Sequence, residues 1–274
     1  MHLHSGKGFE MLIDYHIHTD LCGHAEGEME EYVQSAIKKG LKEMGFSDHF
    51  PLFHISAPDL SMKMEDLPVY INKVRELQKK FKKDISIKLG IEVEYTSETE
   101  VSTGKLLKNY SFDYIYGSVH FLGEWIFDHP AQKDEWEKRN VYEVYRNYFS
   151  NLEKMIRSNL FDIVAHIDLV KKFGYKPAEP LAGIYTNIAK LIAGHKMCIE
   201  VNTSGLYKPV KEIYPSEEFL KICFVNNVPV VLGSDAHSPE EVGRDFDKAL
   251  YLIKKAGYKK IATFSSRRCR FINL

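Results

Sequence analysis

Residues 11–24, "MLIDYHIHTDLCGH", run from a short apolar stretch into three histidines, His16, His18 and His24. Residues 11–15 have the length and apolar content of a strand, and the histidines begin where it ends. The same pattern recurs along the chain. Strand-like segments "EMGFS" (43–47), "IKLGIEV" (87–93), "DYIYGSV" (113–119), "DIVA" (162–165), "MCIEVN" (197–202) and "PVVLGS" (229–234) bring the candidate strands to seven. Between them, residues 29–40, 65–81, 140–156, 180–195, 216–227 and 239–257 carry helical spacing. Ser216 and Ser238 suit helix N-termini, and Gly40, Gly194 and Gly257 suit helix exits. Alternation of this kind, with no Pro/Gly/Ser-rich linker and no internal repeat, predicts one α/β domain. Parallel strands joined by right-handed crossovers would form a (β/α) barrel over residues 11–274, behind an N-terminal extension at 1–10. Residues 50–64 read as a loop over one barrel mouth.

Composition narrows the function. A chain of 274 residues with 44% hydrophobic content can bury one large core. Its 37 basic and 38 acidic residues leave a net charge of −1 with no long run of either sign, so a nucleic-acid surface is not expected. A small polar or charged ligand fits better. No apolar run approaches the roughly 20 residues of a membrane span, and residues 1–10 lack the apolar core of a secretory signal, so the expected location is the cytoplasm. Cys22, Cys198, Cys223 and Cys269 form no C-x-x-C pair and read as buried or idle thiols.

The chemistry lies just beyond the strands. His16 and His18 stand after the first, Asp48 and His49 after the second, His120 after the fourth, His166 after the fifth, and Asp235 with His237 after the last; Glu92 stands near the end of the third. In a (β/α) barrel the carboxyl ends of the strands converge on one mouth, which would gather these groups into one cavity. Imidazoles and carboxylates together are the ligands of zinc, manganese or iron. Residues i and i+2 of a strand share a face, so His16 and His18 can address one ion. H-x-H alone is weak: His2 and His4 have the same spacing with no strand beneath them.

Taken together, "DYHIHTDLCGHAEG", "GFSDHFP", "GIEVEY", "YGSVHF", "VAHIDLVKKFG", "EVNTSGL" and "LGSDAHSPEEVGRDFDKAL" resemble the polymerase-and-histidinol-phosphatase (PHP) superfamily, in detail its histidinol-phosphatase branch, from about Leu12 to Leu274. The resemblance implies a distorted seven-stranded, TIM-like (β/α) barrel that holds up to three metal ions and hydrolyses phosphate esters. It implies His16, His18, Glu92 and Asp235 as ligands of a first ion, with Glu92 bridging to a second ion completed by His120 and His166. His24, His49 and His237 would hold a third. It also exposes a departure: histidinol phosphatases often carry arginine directly after "SGL", where this chain has Tyr207 followed by Lys208.

Such a site suits phosphate monoesters, because clustered cations neutralise the phosphoryl oxygens and acidify bound water. The expected reaction is in-line attack by a metal-bridging hydroxide without a covalent phospho-enzyme, with Asp235 and His237 nearest the chemistry. Asn202, Thr203 and Ser204 are candidate hydrogen-bond donors to phosphate, and Lys208 and Arg244 candidate cationic partners. Asp128 and His129 can reach a cationic substrate or cap the next helix; the structural role is preferred. Asp48 can ligate metal or orient His49. His54, His129 and His195 match no strand-end position and read as loop or surface residues, while "VYEVYRNYF" spaces its rings as a packing face.

The leading reading is therefore a histidinol-phosphate phosphatase of histidine biosynthesis. A phosphoesterase acting on another monoester, or on a phosphodiester as a nuclease, is the second, and a non-catalytic metal-binding module the third. An amidohydrolase-type metal barrel also opens with H-x-H, but its strand-borne bridging lysine is not evident here.

Overall fold

The seven apolar segments all become strands, and all pair in parallel. The computed structural model describes residues 12–274 apart from His54 and residues 56–58, so the 1–10 extension, with His2 and His4, lies outside the described residues. With strands numbered in chain order, the barrel comprises β1 (Ile13–Asp14), β2 (Glu43–Phe46), β3 (Ser86–Glu94), β4 (Tyr114–Ser118), β7 (Ile163–Val164), β8 (Cys198–Asn202) and β9 (Val230–Gly233). Their order in the sheet is β1-β2-β3-β4-β7-β8-β9. The first and last strands close on each other: Tyr15 N–H donates to the Leu232 carbonyl at 3.1 Å, and Ala236 N–H to the His16 carbonyl at 3.2 Å. Two antiparallel hairpins stand outside the barrel, β5 (Phe121–Leu122) with β6 (Trp125–Ile126), and β10 (Lys260–Ser265) with β11 (Arg268–Asn273).

Helices α1 (Met29–Lys38), α2 (Leu67–Lys80), α3 (Glu100–Leu107), α4 (Val141–Arg157), α5 (Ala182–Gly194), α6 (Glu217–Val225) and α7 (Phe246–Ala256) surround the strands. On α4 the expected packing face is present, with Tyr145, Tyr148 and Phe149 buried. α3 escapes a periodicity reading because its buried positions are Thr103, Gly104 and Leu107, of which only the last is a strong apolar marker. α7 begins at Phe246, later than its spacing suggests, since Gly243 (φ 62°) and Asp245 (φ 58°) turn the chain sharply first. Ser216 caps α6 by accepting the Phe219 N–H, but Ser238 heads only a 3-10 turn, Pro239–Glu241, and makes no side-chain cap. Gly40 and Gly257 leave their helices with positive φ, whereas Gly194 is still helical and Lys196 (φ 58°) makes that exit. No helix among the described residues is long and apolar enough to cross a membrane.

All four thiols are free, but Cys269 is exposed, and it meets buried Cys198 with 4.0 Å between sulfurs although they lie far apart in sequence. Cys269 belongs to the C-terminal hairpin, whose β11 is polar and mostly exposed and therefore unmarked by apolar alternation. The hairpin packs through Ile261, Ala262 and Phe264 and is tied to the barrel where Phe264 N–H donates to the Tyr15 hydroxyl at 2.9 Å.

The barrel interior is filled from one position. The fully buried Tyr114 stacks on Tyr15 with ring centroids 4.7 Å apart, and its hydroxyl donates to the Tyr15 carbonyl at 2.6 Å. Glycine is needed on β3 and β2 to admit this ring, because a Cβ at Gly90 would lie 2.3 Å from Tyr114 Cζ and one at Gly45 would lie 2.1 Å from its hydroxyl oxygen. Overpacking of this kind costs about 1–3 kcal/mol. Gly90→Ala should therefore lower the unfolding free energy measured in urea by an amount in that range, and Tyr114→Leu should recover part of the loss in the double variant. Additive losses would show that the ring is not what Gly90 accommodates.

Candidate metal centre

Each strand end delivers its side chains to the same rim. Beyond β1 the chain stays extended, so His16 and His18 both turn inward and are buried, 5.0 Å apart between ring centroids. Asp14 secures this arrangement: its carboxylate accepts the Ser234 N–H at 3.0 Å, the Ser234 hydroxyl at 2.5 Å and the Gly243 N–H at 2.8 Å. The start of the chain is thereby clamped to the segment carrying Asp235 and His237. Both Asp235 (φ 54°) and His166 (φ 22°) take left-handed backbone conformations unfavourable for their type, which are tolerated where surrounding contacts enforce them.

Glu92 stands at the centre. His16 Nε2 lies 3.3 Å, His18 Nε2 3.6 Å and His49 Nδ1 3.1 Å from its Oε2, while His166 Nε2 lies 3.1 Å and His120 Nε2 3.9 Å from its Oε1. Asp235 Oδ1 approaches His18 Nε2 at 3.2 Å and His16 Nε2 at 3.8 Å. Nearby, the His237 ring centroid lies 4.2 Å from that of His18 and 4.9 Å from that of His24, and the His49 centroid 5.4 Å from that of His24. Three compact groups emerge in which ligand atoms lie within 4.8 Å of one another: His16, His18 and Asp235; His16, Glu92 and His166; and His18, His49 and His237. A fourth joins His18, Cys22 and Asp48.

Imidazoles and carboxylates hold one another in charged form: against burial, the surrounding carboxylates raise His16 and His18, and Glu94 raises His120 to about 9, an attraction a bound cation would replace. Burial opposes ionisation of Glu92, but the imidazoles of His49 and His16 outweigh it and hold the carboxyl well below its usual range. Asp235 is held low in the same way by His16 and His18, against burial. Burial and neighbouring His18 push His237 down to about 3, leaving the neutral imidazole that metal binding requires. Both ring nitrogens of His18 and Nδ1 of His166 are buried without a hydrogen-bond partner. Buried polar atoms seldom go unsatisfied, and a mixed imidazole and carboxylate donor set fits a borderline divalent ion.

Two supporting carboxylates were not singled out from the sequence. Glu200 on β8 accepts from His16 Nδ1 at 2.7 Å and from the His166 N–H at 2.8 Å; Glu94 on β3 pairs with His120 Nδ1 at 2.8 Å. Each fixes a ring so that its other nitrogen faces the cluster. Strand period was the available signal: Glu94 lies two residues beyond Glu92, and Glu200 is a charge inside an apolar strand. Asp48 accepts the His49 N–H at 2.8 Å and bonds the Thr19 hydroxyl, so its contacts orient backbone and loop, with His18 Nδ1 3.5 Å away.

A cavity of about 820 Å³ opens over the cluster. Phe50, Leu52, Asp59 and Leu60 line it, in keeping with a loop at the mouth, as do Ser204, Lys208 and Arg244. Asn202 corrects an expectation: it is fully buried and turned toward Asp235, with Nδ2 3.3 Å from the carboxylate, and it does not line the cavity. Thr203 is likewise buried, while Ser204 Oγ donates to Asp235 at 3.1 Å. His129 caps the following 3-10 helix by accepting the Ala131 N–H, whereas Asp128 pairs with Lys172 at 2.9 Å inside the cavity. His195 bonds Asn159 at the surface, and His54 lies outside the described residues.

Known proteins are similar to this chain. Residues 14–204 match the PHP domain family model. A Deinococcus radiodurans protein named "Probable histidinol-phosphatase" is 38% identical, over 94% of this chain and 98% of its own length. The histidinol-phosphatase of Bacillus subtilis is 31% identical, over 86% of this chain and 97% of its own. The crystal structure of histidinol phosphate phosphatase from Lactococcus lactis, complexed with zinc, L-histidinol and phosphate, superposes with a TM-score of 0.82 at 26% identity, covering 94% of this chain and 98% of that one. With its seven-stranded barrel and strand-end cluster, the chain belongs to the PHP domain family, in its histidinol-phosphatase branch.

Proposed function

We propose that this protein hydrolyses histidinol phosphate to histidinol and inorganic phosphate in the cytoplasm, using two or three divalent ions, zinc foremost with manganese and iron as alternatives. The carrying observation is the convergence of imidazoles and carboxylates from six strand ends, with orphaned ring nitrogens, at the floor of the cavity. His16, His18, Glu92 and Asp235 would hold one ion, Glu92 with His120 and His166 a second, and His24, His49 and His237 a third. Ions bound there supply charge neutralisation for the phosphoryl group and a nucleophile generated from water at neutral pH.

The chain's own residues orient and select. Glu200 and Glu94 fix the His16 and His120 rings, and Ser204 with Asn202 holds the Asp235 carboxylate. Lys208 and Arg244 offer positive charge to a phosphate, and Asp59 adds to the lining a carboxylate of the kind an ammonium or imidazolium group prefers, beside Glu94 and Asp128, which are paired with His120 and Lys172. A phosphate ester carrying a cationic tail satisfies both halves of this lining. The relatives named as histidinol phosphatases support that choice of tail.

Element analysis of the purified protein should find bound divalent metal, and phosphate release should be fast with histidinol phosphate and slow with nucleotide monophosphates or single-stranded DNA. His18→Ala and Glu92→Ala should each lower kcat/KM at least about 1,000-fold, since nucleophile generation and charge neutralisation are lost together. Unchanged turnover in both variants would overturn the metal mechanism. Glu200→Gln should weaken metal affinity about 10- to 100-fold, measured by competition with a chelator; wild-type affinity would show that His16 needs no such partner.

A further inference from the structure

We propose that Tyr207 is a positioning residue whose ring holds the Arg244 guanidinium against the cavity wall as a fork for the phosphoryl group. This inference rests on the hydrolysis of a phosphate ester proposed above. The guanidinium carbon of Arg244 stands 3.5 Å from the centroid of the Tyr207 ring, a stacked cation–π contact. Arg244 lines the cavity together with Ser204, Asp235 and His237; Tyr207 does not, and it is 49% exposed. The ring therefore backs a guanidinium whose residue lines the cavity.

Every other tie on the arginine leads to the rim. Its Nη1 pairs with Glu241 Oε1 at 2.9 Å, and Glu241 Oε2 accepts the His237 N–H at 2.9 Å. Gly243, the residue before it, donates its N–H to Asp14 at 2.8 Å. Asp245, the residue after it, accepts the Tyr207 hydroxyl, so ring and guanidinium are anchored to the same short segment. One donor is left over: Arg244 Nε is buried with no hydrogen-bond partner. An unpaired donor on a cation at the wall of an anion-binding cavity is the group a phosphoryl oxygen would satisfy once the side chain turns to meet it, and a planar guanidinium can meet two such oxygens at once. Lys208, on the same wall, carries a flexible point charge and cannot replace that fork.

The test uses the metal-loaded enzyme, with KM for histidinol phosphate and the inhibition constant of inorganic phosphate as paired readouts. Arg244→Ala should raise both about 30-fold, the loss of a charge-assisted contact. Tyr207→Ala should raise both about 3-fold at unchanged kcat, metal content and melting temperature, and Tyr207→Phe, which keeps the ring, should restore wild-type values. In the Arg244→Ala background Tyr207→Ala should have no further effect. An equal effect in both backgrounds, or a Tyr207→Phe variant as impaired as Tyr207→Ala, would overturn the clamp. A shift in KM without one in phosphate inhibition would overturn phosphoryl recognition. Should the wild type release no phosphate from histidinol phosphate, the proposed substrate fails, while calorimetric binding of inorganic phosphate to the same variants still decides on Tyr207 and Arg244.

Discussion

The seam between the first and last barrel strands is the constraint on which the rest depends. Only a few backbone hydrogen bonds join β1 to β9 and its extension, from Tyr15 to Leu232 and from His16 and His18 to Ala236, and β1 itself is just two residues of paired strand. Yet they set residues 16–18 beside residues 235–237, and the buried Asp14 carboxylate adds three contacts from the far end of the chain to the same seam. Without that closure the Asp235 carboxylate would have no His18 to face, and Gly243 would not be held beneath Arg244.

The cluster is a local liability that the scaffold absorbs. Glu92, His16, His18 and His166 are almost wholly buried, two ligand positions carry unfavourable backbone, and several ring nitrogens lack partners. Gathering such groups away from water is costly unless a cation compensates. The apolar strands below, filled by Tyr114 and flanked by helices with buried faces such as α4 and α7, provide the rigidity that keeps the ligands from collapsing onto one another.

Much of this could be read in the residues. Apolar runs of strand length, each ending in histidine or a carboxylate, were enough to place six ligand-bearing strand ends around one mouth. The partition of those ligands among three ions came from family resemblance, and the geometry follows it only in part: His18 enters three of the four compact groups and His16 two, while His24 and His120 enter none. Other features were illegible for definite reasons. α3 and the C-terminal hairpin carry too little periodic apolar signal. Asn202 sits at a strand end as a site residue should, but whether it faces the cavity or a neighbouring carboxylate depends on packing across β8 and β9. The contact between Tyr207 and Arg244 joins two loops far apart in sequence, and nothing local to either residue announces it. Tyr207 looked like the loss of a cation; in space it is the platform on which one rests.

The spread of the ligands along the chain also bears on how the protein is made. Residues at the amino end of the cluster emerge from the ribosome long before Asp235 and His237, and the strand that closes the barrel is the last of the seven. A cluster that draws on both ends of the chain can therefore assemble only after Asp235 and His237 have been made, together with the seam that sets them beside His16 and His18.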